Sequence, residues 1–541
     1  MRRLPLLLSS LSAAALLSAA ALPAVAEAPA AVAAPAAAAA VADGHTAFTY
    51  RDLIGLNRLG DPQVSPDGAW VIYAVTATDV EANSRSGSVW IRPVADDGSP
   101  RRLAISDGGA NTARWGSDNH IYFLSSRSGS SQVWRAEADG TGAMQVTNLP
   151  VDVNAYRLSR AADKLVMSLA VFPDCADLAC SVERARAEAE RKSTGRVYDR
   201  MFVRHWDTWN DGTQNHLFTQ AIGDDGQASG DPVWVSKGFD GDTPSKPFGD
   251  ESEFTFTPDG DAVVFSAREA GQSEPWSTNF DLWRTNGLSG DGLFENLTEA
   301  NPAWDTGAVF SPDGRTMAYL AMERPGFEAD KFSIFLKDVA SGQTRQIAAN
   351  WDRSPGGLQW AADGNTLYAT AGDVGQTRIF AIDTRNGAVV PVTGPGHVSS
   401  FGLTPSGIVF ARDALDAPSD LYFKTYRGRE MPRRLTNVNP SLDDKMFGEA
   451  EQFTFDGWNG ETVHGYVIKP AGYVEGRKYP VAFLIHGGPQ GSFGNSWSYR
   501  WNPSSYAGAG FAVVMIDFHG STGYGQAFTD SISQHWGDRP L

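Results

Sequence analysis

Between residues 60 and 440 short alternations of apolar and polar residues recur, and the same four-residue punctuation introduces them. Ser65-Pro66-Asp67-Gly68 precedes the run from Val71 to Val75, Thr257-Pro258-Asp259-Gly260 precedes Ala262 to Ser266, and Ser311-Pro312-Asp313-Gly314 precedes Thr316 to Leu320. Ser or Thr opens a type I turn, Pro fixes φ at the second position, Asp suits the third and Gly closes it, so each tetrapeptide predicts a turn feeding a strand. Weaker copies begin at Gly116, Ser159, Ala361 and Thr404. The intervals between successive anchors are 51, 43, 98, 54, 50 and 43 residues. All but one lie near the period of a four-stranded propeller blade. Aromatic strands such as Ser88–Arg92, Gln132–Arg135, Asp281–Arg284 and Arg378–Ile382 follow one hairpin after their anchors. The pattern predicts an all-β propeller of seven blades over residues 47–445; a sandwich array would need blocks of about 100 residues.

The 98-residue interval holds either an eighth, unrecognised blade or an insertion. Ser181–Lys192 is Ala-rich and pairs Arg184/Glu188, Arg186/Glu190 and Glu188/Lys192 at i,i+4, without a wide apolar stripe. That predicts an exposed helix and favours an insertion over about residues 175–200. Beyond it, Val197 to Trp209 mixes aromatic and charged side chains. Trp206 and Asp207 are candidate substrate-binding residues there, against the alternative that the tryptophans pack between blades. Cys175 and Cys180, five positions apart, could form a local disulfide in an exported protein or remain two thiols. Two cysteines alone do not make a tetrahedral zinc site.

After residue 446 the pattern changes. Tyr479 to Ile485 is an uninterrupted apolar run ending in His486-Gly487-Gly488-Pro489, and Phe511 to Phe518 is a second run ending in His519-Gly520-Ser521-Thr522-Gly523-Tyr524-Gly525. Runs apolar on both faces predict buried parallel strands, and one helix-length between them predicts a βαβ unit. Paired glycines at a strand's carboxyl end let backbone N–H groups turn toward a ligand, as an oxyanion hole requires. Gly488, ahead of Gly487, is the candidate donor, and His486 the residue that orders the turn. Residues 446–541 are accordingly expected to be the N-terminal part of an α/β-hydrolase domain, incomplete at about half the size such a domain needs.

These two segments and their spacing resemble the prolyl oligopeptidase family of serine peptidases, in particular its dipeptidyl-peptidase V and acylaminoacyl-peptidase branches. The resemblance implies acyl transfer on short peptides by a Ser-His-Asp triad, with the nucleophile in Gly-x-Ser-x-Gly, and no metal or organic cofactor. It also implies an acidic group on the propeller side that captures a substrate's amino group. No Gly-x-Ser-x-Gly occurs in the sequence, and Ser521, two residues after His519, does not fit it. The triad is therefore expected beyond Leu541, and the 541 residues alone are expected to be inactive. His519 stands where the family usually has Arg, which puts any role of that Arg in doubt here. The alternative is a non-enzymatic periplasmic propeller of the Tol type that binds protein partners; the segment 479–525 argues against it.

At the other end, Met1-Arg2-Arg3, the apolar stretch Leu4–Leu22 and Ala24-Val25-Ala26 have the parts of a cleavable secretory signal. Residues 1–26 are expected to be removed, leaving an Ala/Pro-rich linker over 27–46 and a periplasmic or secreted protein with no stable membrane insertion. The formal charge of −18 disfavours nucleic acid as a partner.

Overall fold

The computed structural model describes residues 44–95, 98–269 and 271–540. The expected signal, its cleavage site and all but the last three residues of the linker lie outside them.

Residues 58–434 are a succession of antiparallel meanders. In the first, Arg58–Val64, Trp70–Asp79, Ser84–Pro93 and Arg101–Arg102 pair in chain order. Four more four-stranded sheets follow, and then an eight-stranded sheet in which two meanders, starting at Pro355 and His397, meet through one parallel pair, Thr377 with His397. Each central strand is covered on both faces, which is why Val71, Ile72 and Tyr73 are all buried. Ile72 packs with Ile121 and Phe123 of the second sheet, whereas Val71 and Tyr73 pack with Val409, Leu421 and Leu435 of the last meander. First and last units thus close on each other through apolar side chains, each burying about 1.5–3 kcal/mol, with no strand exchanged between them.

The turn anchors fold as their chemistry dictates. The N–H of Gly68, Gly260 and Gly314 donates to the carbonyl of Ser65, Thr257 and Ser311 at 2.8, 2.9 and 2.9 Å, with glycine φ of 73°, 72° and 74°. The copy at Thr404 departs from this. There the N–H of Thr404 donates to the Gly407 carbonyl, because the segment forms a tighter hairpin.

The long interval is an insertion between the second and third strands of one sheet, Lys164–Val171 and Gln214–Ile222. With α1 at Tyr50–Gly55, the inserted helix is α2, Leu178–Glu190. Asp177 caps it by accepting from the Cys180 N–H, and a disulfide joins Cys175 to Cys180. Of the i,i+4 pairs expected along it, Arg186–Glu190 forms an ion pair at 3.9 Å; Arg184 instead turns back to Asp174.

The C-terminal portion is a mixed sheet in the order Ala450–Asp456, Thr462–Ile468, Ala512–Asp517, Val481–Leu484. The last two are parallel, and the crossover joining them carries only a short helix, α3 (Pro503–Gly508), not the full helix expected. Leu415 from the meander region joins Tyr466, Ile468, Ala507, Val513 and Met515 in one core, so the two portions share buried surface.

Candidate active site

The turn after Val481–Leu484 is held from below. His486 Nδ1 lies 2.9 Å from the Gly487 carbonyl and Nε2 2.9 Å from Ser521 Oγ. A carbonyl only accepts, so Nδ1 carries the proton and Nε2 accepts from the serine hydroxyl. The ring also stacks on Phe518 at 4.5 Å. His486 thereby ties its own turn to the loop after Ala512–Asp517, and the Thr522 N–H reinforces the tie by donating to the Gly491 carbonyl at 2.8 Å. Gly487 and Gly488 are left exposed, and neither N–H has a partner among the described residues. Gly488 has φ 128°, a conformation that favours glycine.

Ser521, His486 and Asp517 mimic a triad without its geometry. Ser521 is fully buried, and Asp517 lies 3.7 Å from the same Nε2 that the serine occupies, leaving no carboxylate on Nδ1. A working base is oriented through the nitrogen that does not face the nucleophile. Asp517 instead organises the loops, accepting from Ser492 Oγ, the Phe493 N–H and Tyr524 Oη at 2.8, 2.8 and 2.6 Å. Burial, together with the Asp517 charge, pushes the Tyr524 phenol far above its ordinary value. His519 is buried between Phe528 and Trp458 and its Nε2 lies 3.1 Å from Glu461 Oε2, so it packs the back of this loop.

Gly488 opens onto a cavity of about 430 Å³ between the two portions, with Gln490 and Thr522 beside it and Glu328, Lys331 and Arg353 on the opposite wall. Arg353 is fixed by Asp373 at 2.9 Å. Helix α4 (Gln526–Asp530) starts at the cavity, and its Gln526 N–H donates to Asp352 Oδ1 at 3.0 Å. A Cβ on Gly525 would come within 2.6 Å of that carboxylate, so glycine is what allows its approach. Arg324 completes the junction, reaching Asp530 at 2.7 Å and Asp330 at 2.9 Å. Sequence reasoning missed Glu328, Lys331 and Arg353; they stand about 135 to 160 residues from Gly488 along the chain, and no local pattern connects them.

Trp206 and Asp207 form the turn of a small hairpin, Arg204–His205 with Thr208–Trp209. Both are exposed; Trp206 touches Phe248 and does not pack between blades. Neither lines the nearby cavity of about 730 Å³, whose walls include Arg200, His205, Trp209, Asp242 and Glu274. Burial raises the carboxyls of Asp242 and Glu274 above their ordinary values and lowers His205. Among the described residues no group of three His, Cys, Asp or Glu side chains is placed to hold a metal ion.

The prolyl oligopeptidase family profile matches residues 497–541. Dipeptidyl-peptidase 5 of Arthroderma otae is 30% identical over 530 residues, covering 91% of this chain and 70% of the fungal enzyme. That of Trichophyton tonsurans is 31% identical over 534 residues, covering 92% and 71%. Among solved structures, an acylaminoacyl peptidase in complex with Z-Gly-Gly-Phe-chloromethyl ketone superposes with TM-score 0.71 at 19% identity, covering 91% of this chain and 70% of that one. The Pyrococcus horikoshii acylaminoacyl peptidase follows at TM-score 0.68 and 18% identity, covering 90% and 69%. These likenesses establish a propeller joined to a hydrolase fold.

Proposed function

This chain belongs to the prolyl oligopeptidase family of serine peptidases, and from that premise we propose that it is an exported dipeptidyl- or acylaminoacyl-type peptidase acting on short peptides. The observation that carries the reading is the exposed Gly487-Gly488 turn, its N–H groups free and Gly488 facing a cavity walled by propeller loops. In the proposed mechanism a serine activated by histidine attacks the peptide carbonyl, and the Gly488 N–H helps hold the oxyanion. The meanders are read as seven blades. Their loops confine the cavity and so favour short substrates. The half-buried carboxyls of Asp242 and Glu274, which line the cavity of about 730 Å³ that Asp207 does not, are better candidates than Asp207 to meet a substrate's amino group.

We place the nucleophile, acid and histidine of the triad outside residues 1–541. Support comes from the lack of any Gly-x-Ser-x-Gly and from the outer strand Val481–Leu484, where Val481 and Phe483 are 61% and 54% exposed. Apolar side chains on a parallel strand are ordinarily covered by further sheet and helix. Export rests on the composition of residues 1–26, with cleavage after Ala26.

The test compares the 541-residue chain with one continued through its downstream reading frame, using dipeptidyl and acetyl-aminoacyl p-nitroanilides. Release by the longer protein alone is expected. Release by the 541-residue chain would overturn the placement of the triad, and release by neither would overturn the peptidase reading.

A further inference from the structure

The first strands of two meanders run from the hydrolase side of the propeller to a second cavity. Pro355–Trp360 has Ser354 at the cavity beside Gly488 and Trp360 at a second cavity. His397–Leu403 likewise starts at the hydrolase side and ends at that second cavity. Six strand residues span about 20 Å, so the second cavity opens on the face turned away from the hydrolase portion. It is large, about 1160 Å³, and is framed by the turn anchors, including Pro66, Pro258, Pro312 and Pro405.

Its charge runs against that of the whole chain. The protein has 45 Lys and Arg against 63 Asp and Glu, yet the ionisable side chains lining this vestibule are Arg157, Arg160, Arg427 and a single acid, Asp363. Asp363 is occupied by its own turn, accepting from the N–H of Asn365 and Thr366. Arg160 is anchored, donating to the Pro312 carbonyl at 2.7 Å. The Arg157 side chain has no hydrogen bond or ion pair among the described residues. Its neighbour Glu251 is taken by Arg114, which also bridges to Asp61 at 2.6 Å and so ties three units together deeper in the channel. Burial, with the Arg114 charge beside it, lowers the Arg157 pKa against the opposing pull of Glu251 and Asp250. Phe256, Phe310, Trp360, Tyr368 and Tyr426 supply the walls.

We propose that this vestibule binds a peptide through its terminal carboxylate, with Arg157 as the principal ligand, Arg427 at the rim and the aromatic walls against the side chains. A guanidinium matches a carboxylate in a bidentate fork, and its value rises where water is excluded. The site is separate from the cavity at Gly488, and the proposal stands whether or not the catalytic reading holds.

Calorimetric titration of the 541-residue chain with acetyl-Ala-Ala-Phe bearing a free carboxylate, and with the same peptide as its amide, tests it. The acid is expected to bind at least about tenfold more tightly than the amide, the worth of a charge-assisted bond. Arg157→Gln should abolish that preference and leave amide binding unchanged, and Arg427→Gln, at an exposed position, should reduce it. Arg157→Lys, which keeps the charge but not the fork, should fall between. Equal affinity for acid and amide, no binding of either at millimolar peptide, or a preference left undiminished both by Arg427→Gln and by either substitution at Arg157 would overturn the proposal. Should Arg157→Gln fail to fold, Arg157→Lys and Arg427→Gln still decide it.

Discussion

Gly488 shows how much one backbone position can carry. At φ 128° an added Cβ would stand 2.6 Å from the Gln490 nitrogen, so Gly488→Ala must move the turn that presents the N–H. Because the residue is exposed, folding should survive. If Gly488 is the oxyanion donor of the proposed mechanism, kcat of the protein continued through its downstream reading frame is expected to fall about 100-fold or more, with KM nearly unchanged; steady-state kinetics on a dipeptidyl p-nitroanilide reads both. Asp305 makes a different case. It is fully buried, its Oδ1 accepts from Asn301, and its Oδ2 makes no hydrogen bond of normal geometry among the described residues. Burial lifts its pKa from 3.8 to about 7. Between those values the folded state binds more protons than the unfolded, so this residue lowers stability as pH rises from 4 toward 7 and the loss is complete above about 7. Asp305→Asn should therefore gain stability relative to the parent at pH 8 and lose that advantage near pH 4. Thermal melts of both proteins at the two pH values check it.

At the scale of elements, the turn anchors were legible because their information is local. Proline, a side-chain acceptor and a residue tolerant of positive φ specify the reversal whatever surrounds it. The degenerate copies show the cost of departing from the pattern. Ala162 closes its turn at φ 56° in the place where the better copies use glycine. Ala162→Gly is expected to stabilise the protein by up to about 1 kcal/mol, although its buried methyl offsets part of the gain. Gly68→Ala should do the reverse and cost more, since its Cβ would lie 2.2 Å from Pro405 Cδ of the last unit. Urea denaturation of the two variants gives both signs. Helix α2 was legible for the same local reason. That Arg184 leaves Glu188 for Asp174 was not, because a nearby loop supplied a partner as good as the helix did.

For the whole molecule, the question is what holds the hydrolase portion on the propeller. The Arg324–Asp530 pair is conspicuous, but its side chains are 42% and 32% exposed, and such pairs contribute about 0–1 kcal/mol. The buried contacts matter more. Tyr466 Oη accepts from Gln376 Nε2 at 2.7 Å and donates to the Gly375 carbonyl at 3.1 Å, while the Asn495 N–H donates to the same carbonyl at 2.6 Å. Tyr466→Phe leaves buried polar groups short of partners, a loss of about 1–3 kcal/mol, whereas Arg324→Ala should cost less than about 1 kcal/mol and less still in high salt. Hydrogen exchange at residues 375–376 and 493–495 should accelerate in the first variant and hardly change in the second.

The sequence by itself determined the repeat, its turns, the insertion with its helix, and the glycine turn at the end of an apolar strand, along with the family these resemble. Each turn, helix and strand among these is written in residues within about ten positions of one another, where backbone preference and side-chain periodicity act directly, and the repeat and the insertion are read from how those local signals recur along the chain. Only the tertiary structure decided that Glu328, Lys331 and Arg353 face Gly488, that Trp206 and Asp207 stay out of the neighbouring cavity's lining, and that the Arg157 side chain finds no hydrogen-bond or ion-pair partner among the described residues in the far vestibule. Those facts depend on which surfaces meet when the ring closes and the two portions dock. Such meetings are set by the packing of many side chains at once, and no short stretch of sequence encodes them.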